Sequence, residues 1–275
     1  MTISTWLRQA TKELKDIGIT SARLDAELIL SNTLRKTRTY LHAHLDETID
    51  PRRHDIADAR LSLRLDRVPL AYILGYKEFY GRPFIVSPSV LIPRPESEDM
   101  ISLLLEMTSG DIAPKTLIDI GTGSGCLGIT AKLERPNLLV TLSDISTKAL
   151  TVAEKNATAL QADVFIQKQS LLSGNAQRLD YILANLPYVD KEWEVSPELR
   201  HEPDEALYAR RGGLALIEEL LQQAPQHCNP GALVFLEADP VQHPAIISLA
   251  ANLGLQLKET RGYIIALAYT PAALT

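Results

Sequence analysis

Two short strings in this chain carry residue types suited to chemistry. The first, Asn185-Leu186-Pro187-Tyr188, closes the apolar run from Leu179 to Ala184. It offers an amide, a proline and a phenol where a buried strand would emerge at a sheet edge, a set suited to gripping a flat group that carries NH2. An amide or exocyclic amine nitrogen is a poor nucleophile because its lone pair is delocalised, so a site acting on it must hold it in line. The Asn185 side-chain oxygen and the Leu186 carbonyl can accept its two hydrogens, and Tyr188 can stack on its plane. Positioning then supplies the catalysis without a strong general base. Asn and Pro are also ordinary loop formers, so the string alone reads equally as a turn.

The second string, Asp119-Ile-Gly121-Thr122-Gly123-Ser124-Gly125, stands about sixty residues upstream, roughly two βα units at usual element lengths. Glycines at alternate positions let the backbone turn sharply and approach a ligand without Cβ interference, while the following helix directs its free N–H groups at it. Asp144 ends the next strand, 19 residues after Gly125, where a carboxylate can accept both hydroxyls of a ribose. Together these residues predict a nucleoside-containing cofactor. Gly123-Ser-Gly125-Cys-Leu-Gly128 also satisfies G-x-G-x-x-G, so a dinucleotide is a candidate.

The elements that must position these strings follow from periodicity. Trp6, Leu7, Ala10, Leu14 and Ile17 recur at helical spacing before Gly18, a second apolar face runs from Ala22 to Leu34, and Ile56 to Leu65 supports another helix. Arg60, Arg64 and Arg67 leave that last helix basic, either as a solvated face or as a contact for an acidic or RNA-rich partner. From Pro69 to Pro95 the texture changes to alternating aromatic and polar residues broken by Gly and Pro, as in Phe79-Tyr-Gly-Arg-Pro-Phe84, which predicts a β-hairpin rather than a helix. After a helix over Ile101 to Met107, strands are expected at Thr116 to Ile120, Leu138 to Ser143, Asp163 to Gln167, Leu179 to Ala184, Ala232 to Glu237, Leu255 to Lys258 and Tyr263 to Tyr269. Helices fall between them, from about Ser124 and over Thr147 to Leu160, Gly213 to Ala224 and Pro244 to Leu253. This alternation implies an α/β fold with a parallel-rich sheet, helices on both faces and ligands at the carboxyl ends of the strands. The expected divisions are a helical domain over 1–74, a hairpin linker over 75–93 and an α/β domain over 94–275.

Composition bounds the function. A chain of 275 residues, 45% apolar and 23% charged, is long enough for a sizeable core. A formal charge of −6 argues against a protein that mainly coats phosphate backbone. Cys126 and Cys228 make neither a disulfide framework nor a metal-ligand set, which fits a reducing compartment. The start lacks the pattern of a secretory leader and no long apolar run occurs, so a soluble cytoplasmic protein is expected, with no metal and no membrane.

Asp119 placed two positions before the first of three alternate glycines resembles the first motif of class I S-adenosylmethionine-dependent methyltransferases. Their cofactor carries a cationic sulfonium and no pyrophosphate, and an acidic loop suits that cation. The resemblance implies a seven-stranded Rossmann-like methyltransferase sheet. It also implies that Asp119, Gly121, Thr122, Gly123, Ser124, Gly125 and Asp144 bind S-adenosyl-L-methionine, with Ser170 and Leu171 near its adenine and Asn185 near its methyl. Ser170 stands where an acidic residue is usual.

The tetrapeptide resembles the Asn-Pro-Pro-Tyr motif of enzymes that methylate adenine, cytosine or glutamine nitrogens. Over nearly its full length the chain is similar to the peptide chain release factor glutamine methyltransferase family, called PrmC or HemK. Ala22-Arg-Leu-Asp-Ala-Glu-Leu28, Pro69-Leu-Ala-Tyr-Ile-Leu-Gly75, Glu78-Phe-Tyr-Gly81, Val90-Leu-Ile-Pro-Arg-Pro-Glu-Ser-Glu98 and Leu236-Glu237 carry that similarity. It implies methylation of the glutamine in the Gly-Gly-Gln segment of release factors by a monomer with no stable nucleic-acid partner, the N-terminal helical domain helping to grip the substrate. Pro93-Arg-Pro-Glu96 favours this over a ribosomal-protein glutamine methyltransferase, while Asn-Leu-Pro-Tyr also occurs in enzymes acting on RNA adenine. Leu186 departs from the family's usual proline, which restores an N–H and frees φ there. Glu259-Thr-Arg-Gly262 departs from an Asp, Gly, Arg pattern before the last strand. His201, Glu202 and Pro203 are candidates for the substrate entrance, and Glu237 ends a strand with no assigned role.

Overall fold

The structure is a computed structural model that describes residues 1–110 and 112–271. Its contacts divide the chain into two compact units, Met1–Tyr76 with Val195–His201, and Lys77–Glu194 with Glu202–Thr275.

The first unit is helical. Helix α1, Ile3–Asp16, starts at Thr2, whose hydroxyl accepts from the Thr5 N–H, and it buries Ile3, Trp6, Leu7, Ala10 and Leu14. Those positions share one helical face, and they meet Ala26, Ile29 and Leu30 of α2, Ala22–Leu34. After α3, Arg38–Ala43, helix α4, Pro51–Leu65, begins with Asp50 accepting from the Arg53 N–H and Pro51 in the first turn, where its missing N–H costs nothing. Helix α4 is not the uniformly solvated basic face its arginines predict. Arg64 is buried and pairs with buried Asp25 at 2.8 Å, while Arg60 donates to Asn32 and Thr33. Glu198, in the returning segment Val195–His201, accepts from both Arg64 and Arg67. Helix α5, Leu70–Leu74, ends at left-handed Gly75, so the hairpin texture starts at Tyr76 and not at Pro69.

In the second unit β1, Tyr76–Phe79, and β2, Arg82–Ile85, form the expected hairpin. Its two turn residues, Tyr80 and Gly81, both have positive φ, the geometry that matches strand twist. Phe79 and Phe84 are fully buried edge to face at 6.1 Å, each contributing about 2–3 kcal/mol by burial.

The main sheet has strand order β5-β4-β3-β6-β7-β9-β8. Its members are β3 Lys115–Ile120, β4 Leu138–Asp144, β5 Phe165–Lys168, β6 Leu179–Ala184, β7 Cys228–Glu237, β8 Leu255–Arg261 and β9 Ile264–Tyr269. Strands β3 to β7 run parallel, and β9 is antiparallel to both neighbours. Leu117, Tyr181 and Leu183 point into a core shared with α6, Glu98–Met107, α7, Cys126–Glu134, and α8, Thr147–Ala159. Ile118, Ile120, Ile182 and Ala184 point into the opposite core, with α10, Ala215–His227, and α11, His243–Asn252. A short helix α9, Asp204–Leu207, precedes α10. Strand β8 keeps its pairing to Arg261 across an irregularity between Leu257 and Glu259, so the departure in Glu259-Thr-Arg-Gly262 leaves the edge strand formed.

Connections leave β3 toward β4 and β5 on one side and return to β6 on the other, which makes the β3/β6 junction the switch point of the sheet. Register then decides what meets there. Ile120 pairs with Ser143 and with Ala184, and Ala184 pairs with Leu236. Gly121, Asn185 and Glu237 therefore leave three adjacent strand ends.

Candidate active site

At those strand ends lies a cavity of about 530 Å³, in the range that takes a nucleoside-sized ligand. Gly121, Thr122, Gly123, Ser124, Asp144, Ser170, Leu171, Asn185, Leu186 and Pro187 all line it. Asp119, Gly125 and Tyr188 lie outside that lining and act from behind it.

The glycine loop is shaped by backbone. Gly121, Gly123 and Gly125 all have positive φ, a conformation that L side chains rarely adopt. Gly125 caps α7 without a side-chain bond of its own, and because Asp119 takes the Gly128 N–H, the first-turn N–H groups left beside the cavity are those of Cys126 and Leu127. Asp119 is buried beneath the loop, where its Oδ2 accepts from Thr122 Oγ1 at 2.6 Å and from the Gly128 N–H at 2.9 Å. Its Oδ1 is buried without a hydrogen-bond partner, and burial pushes the carboxyl up to about 6. Gly128 is required by packing, since a Cβ there would stand 2.3 Å from Leu142 Cδ2.

Asp144 accepts from the Gly123 N–H at 3.0 Å and the Ser146 N–H at 2.8 Å. Each carboxylate oxygen keeps a lone pair for a further donor. Burial raises the Asp144 pKa against those two hydrogen bonds. Ser170 is exposed, whereas the preceding Gln169 is buried and its Nε2 donates to the carbonyl of Leu171, a left-handed residue with φ 48°. Gln169 therefore fixes the bend that brings Leu171 to the cavity wall. Asn156 does similar work on the other side, bonding the backbone of Ile85 with both ends of its amide and reaching the Ser124 carbonyl at 2.8 Å.

The tetrapeptide is held from several directions. Leu186 is buried, with Cδ2 packed over Gly121. Asn185 Nδ2 donates to Ser97 Oγ at 3.1 Å, leaving Oδ1 as the acceptor of that amide. The Tyr188 ring packs against the α10/α11 core and its hydroxyl donates to Glu237 Oε1 at 3.2 Å. Burial, then the Glu237 charge, raises the Tyr188 pKa far above its ordinary value, so the phenol stays protonated. Gln242 Nε2 donates to the Tyr188 carbonyl, and Gly213 packs so close beneath that carbonyl that no Cβ would fit.

Sequence reasoning assigned no role to Arg94, Ser97, Gln169, Glu237 or Gln242. Glu202 is buried and accepts from the Ile92 N–H at 3.0 Å and from Arg94 at 2.6 Å, so it braces the cavity segment Val90–Arg94. Pro203 is on the cavity wall, while His201 bonds the Asp66 carbonyl instead. The signal for Ser97 was its place directly after Pro93-Arg-Pro-Glu96, and for Glu237 its place at a strand end.

A parallel-rich switch-point sheet with alternate glycines after its first strand, and an acid after its second, defines a Rossmann-like methyltransferase. Residues 98–265 match the family described as "Methyltransferase small domain", and residues 5–75 match "PrmC N-terminal domain". A solved methyltransferase from Pyrococcus furiosus shares the fold, with TM-score 0.53 and 19% identity over 78% of this chain and 98% of that one. The chain is 37% identical to the release factor glutamine methyltransferase of Koribacter versatilis, over 88% of this chain and 89% of that protein. To the enzyme of the same name from Deinococcus radiodurans it is 34% identical, over 93% and 92%. The chain belongs to the release factor glutamine methyltransferase family.

Proposed function

We propose that this protein transfers a methyl group from S-adenosyl-L-methionine to the side-chain amide nitrogen of the glutamine in the Gly-Gly-Gln segment of peptide chain release factors. The observation that carries the reading is the β3/β6 register, which sets the glycine loop and Asn185 side by side on one cavity wall. The lining suits a cationic nucleoside cofactor: Asp144 and Glu205 are its carboxylates and Arg94 its one cation among the described residues. A pyrophosphate would find little there to bind.

When bound, S-adenosylmethionine supplies a methyl on an electrophilic sulfonium. Asp144 serves the ribose hydroxyls, and the N–H groups of Cys126 and Leu127 at the start of α7 serve polar groups of the cofactor, those of Thr122, Gly123, Gly125 and Gly128 being bonded within the protein. Leu171 and the Ser170 backbone stand at the wall assigned to the adenine. Asn185 Oδ1 and the Leu186 carbonyl accept the two hydrogens of the glutamine NH2 and hold its nitrogen in line with the methyl. Tyr188, a neutral phenol bonded to Glu237, buttresses the clamp from behind the cavity lining rather than stacking on the substrate group. Holding the nitrogen in line replaces strong base catalysis, and the nitrogen sheds one proton to water once it has gained the methyl and the C–S bond has broken.

The helical unit over residues 1–74 is assigned to substrate recognition, the hairpin segment 75–93 to linkage, and 94–275 to catalysis. The protein works as a cytoplasmic monomer without stable nucleic acid. Among the described residues no helix is long and apolar enough to cross a membrane. A release factor incubated with the protein and methyl-labelled cofactor should gain label at the Gly-Gly-Gln glutamine. Label in RNA or DNA in a parallel reaction, with none in the release factor, would replace this substrate with a nucleic-acid adenine.

A further inference from the structure

An asparagine amide is nearly symmetric in shape. Turned over, Asn185 would present NH2 to the substrate NH2, donor against donor, and the clamp would fail. Something must set which end faces the cavity, and the tetrapeptide contains no such group.

Register supplies one. Asn185 leaves β6 beside Glu237, which ends β7 and is 1% exposed. Ser97 Oγ donates to Glu237 Oε2 at 2.5 Å and accepts from Asn185 Nδ2 at 3.1 Å, and the Asn185 amide also hydrogen-bonds the Glu237 carboxylate directly. Ser97 precedes α6 at the position where a serine ordinarily caps the helix, yet it makes no capping bond there. Its hydroxyl is committed to the carboxylate instead. A hydroxyl has one proton, so the direction of this chain of bonds is decided at its far end. Burial raises the Glu237 pKa and the bonds from Ser97, Tyr188 and Asn185 oppose it; in its ionised form Glu237 can only accept, so Ser97 donates to it and the Ser97 oxygen receives the Asn185 amide.

We infer that Glu237 and Ser97 are positioning residues for methyl transfer: the carboxylate orders the Ser97 hydroxyl, and the hydroxyl turns Asn185 Oδ1 toward the acceptor nitrogen. The Tyr188 hydroxyl bonds the same carboxylate, so both ends of the tetrapeptide are referred to one buried anion. Ser97 and Asn185 both line the cavity, whereas Glu237 lies behind it. This inference rests on the proposed amide acceptor.

The test compares wild type with S97A, S97T, E237Q and the S97A/E237Q double variant, using purified release factor as substrate. In S97A and E237Q, kcat should fall about 10- to 100-fold, the range for a lost hydrogen bond to a charged partner, with KM and S-adenosylhomocysteine affinity within about threefold of wild type. S97T keeps the hydroxyl and should recover most of the rate. The double variant should lose less than the sum of the two singles, because Ser97 and Glu237 hold one and the same amide. A substrate-independent reading comes from the Asn185 side-chain amide protons in the protein bound to S-adenosylhomocysteine. They should be protected from exchange in wild type and S97T, less protected in S97A, and least in the double variant.

Unchanged kcat in folded S97A or E237Q overturns the inference, as does a loss confined to KM or cofactor affinity, or an additive double variant. Should E237Q not fold, S97A against S97T decides. If wild type labels no release factor, the proposed acceptor fails on its own, and the Asn185 exchange measurement still decides the relay.

Discussion

Gln242 Nε2 donates at once to the carbonyl of Tyr188, at 2.9 Å, and to that of Gly212, at 2.7 Å. One buried amide at the start of α11 thus joins the end of the tetrapeptide to the loop that precedes α10. Gln242→Leu removes the donor from two carbonyls, that of half-buried Tyr188 and that of exposed Gly212. Destabilisation of about 1–2 kcal/mol is expected, measured by denaturant unfolding, with a loss of kcat as Tyr188 loosens.

Asn185→Ala removes the proposed acceptor and keeps the fold. Methyl transfer should drop by about 2–3 kcal/mol in transition-state stabilisation, roughly 30- to 160-fold in kcat. Single-turnover kinetics with saturating cofactor measure it, and unchanged transfer would disprove the role given to the tetrapeptide.

Gly128→Ala would drive a methyl into Leu142 and into the Asp119 Cβ, 2.9 Å away. Overpacking of this kind costs about 1–3 kcal/mol. Because Gly128 also donates to Asp119 under the loop, cofactor affinity should fall along with the melting temperature. Calorimetric titration with S-adenosylhomocysteine checks the first, and a thermal scan the second.

Asp119 gives a pH dependence whose sign is opposite to that of most acids. Its folded pKa is raised from 3.8 to about 6, so the native state holds the proton more tightly than the unfolded chain does. The contribution is fully present below about 4 and is lost as pH rises through about 6. Acidification from pH 7 to 4 should therefore stabilise wild type relative to Asp119→Asn by about 3 kcal/mol at most. Paired unfolding curves across that window test it; a pH-independent difference would refute it.

In the helical unit, Arg64→Ala leaves Asp25 charged and buried. A loss of about 3–5 kcal/mol is expected for this unit by hydrogen exchange. Replacing both partners with apolar residues should recover much of it, since the pair's desolvation cost disappears too.

Much of this architecture was legible in the chain because its causes are local. The period-2 texture of Phe79 to Val86 and the turn pair Tyr80-Gly81 are enough to make a hairpin, and three alternate glycines after an apolar run make a ligand loop. Helix α5 was not legible: its five residues are too few for periodicity, and Pro69 read as a break where it is the start. Strand β5 begins at Phe165 rather than Asp163, and all four of its residues are exposed, so burial left no pattern to read. Arg64 looked like surface because helical spacing cannot reveal that Asp25, 39 positions earlier, waits beside it.

Sequence alone determined that a glycine loop and the Asn185–Tyr188 string lie at strand ends, since residue type and strand context dictate both. Tertiary structure decided how the clamp is oriented. Ser97 stands 88 positions from Asn185 and 140 from Glu237, and only the register of β6 against β7 and the placing of α6 bring the three together. Hydrogen bonds act over about 3 Å, so a relay among residues so distant in the chain exists only once the sheet has formed.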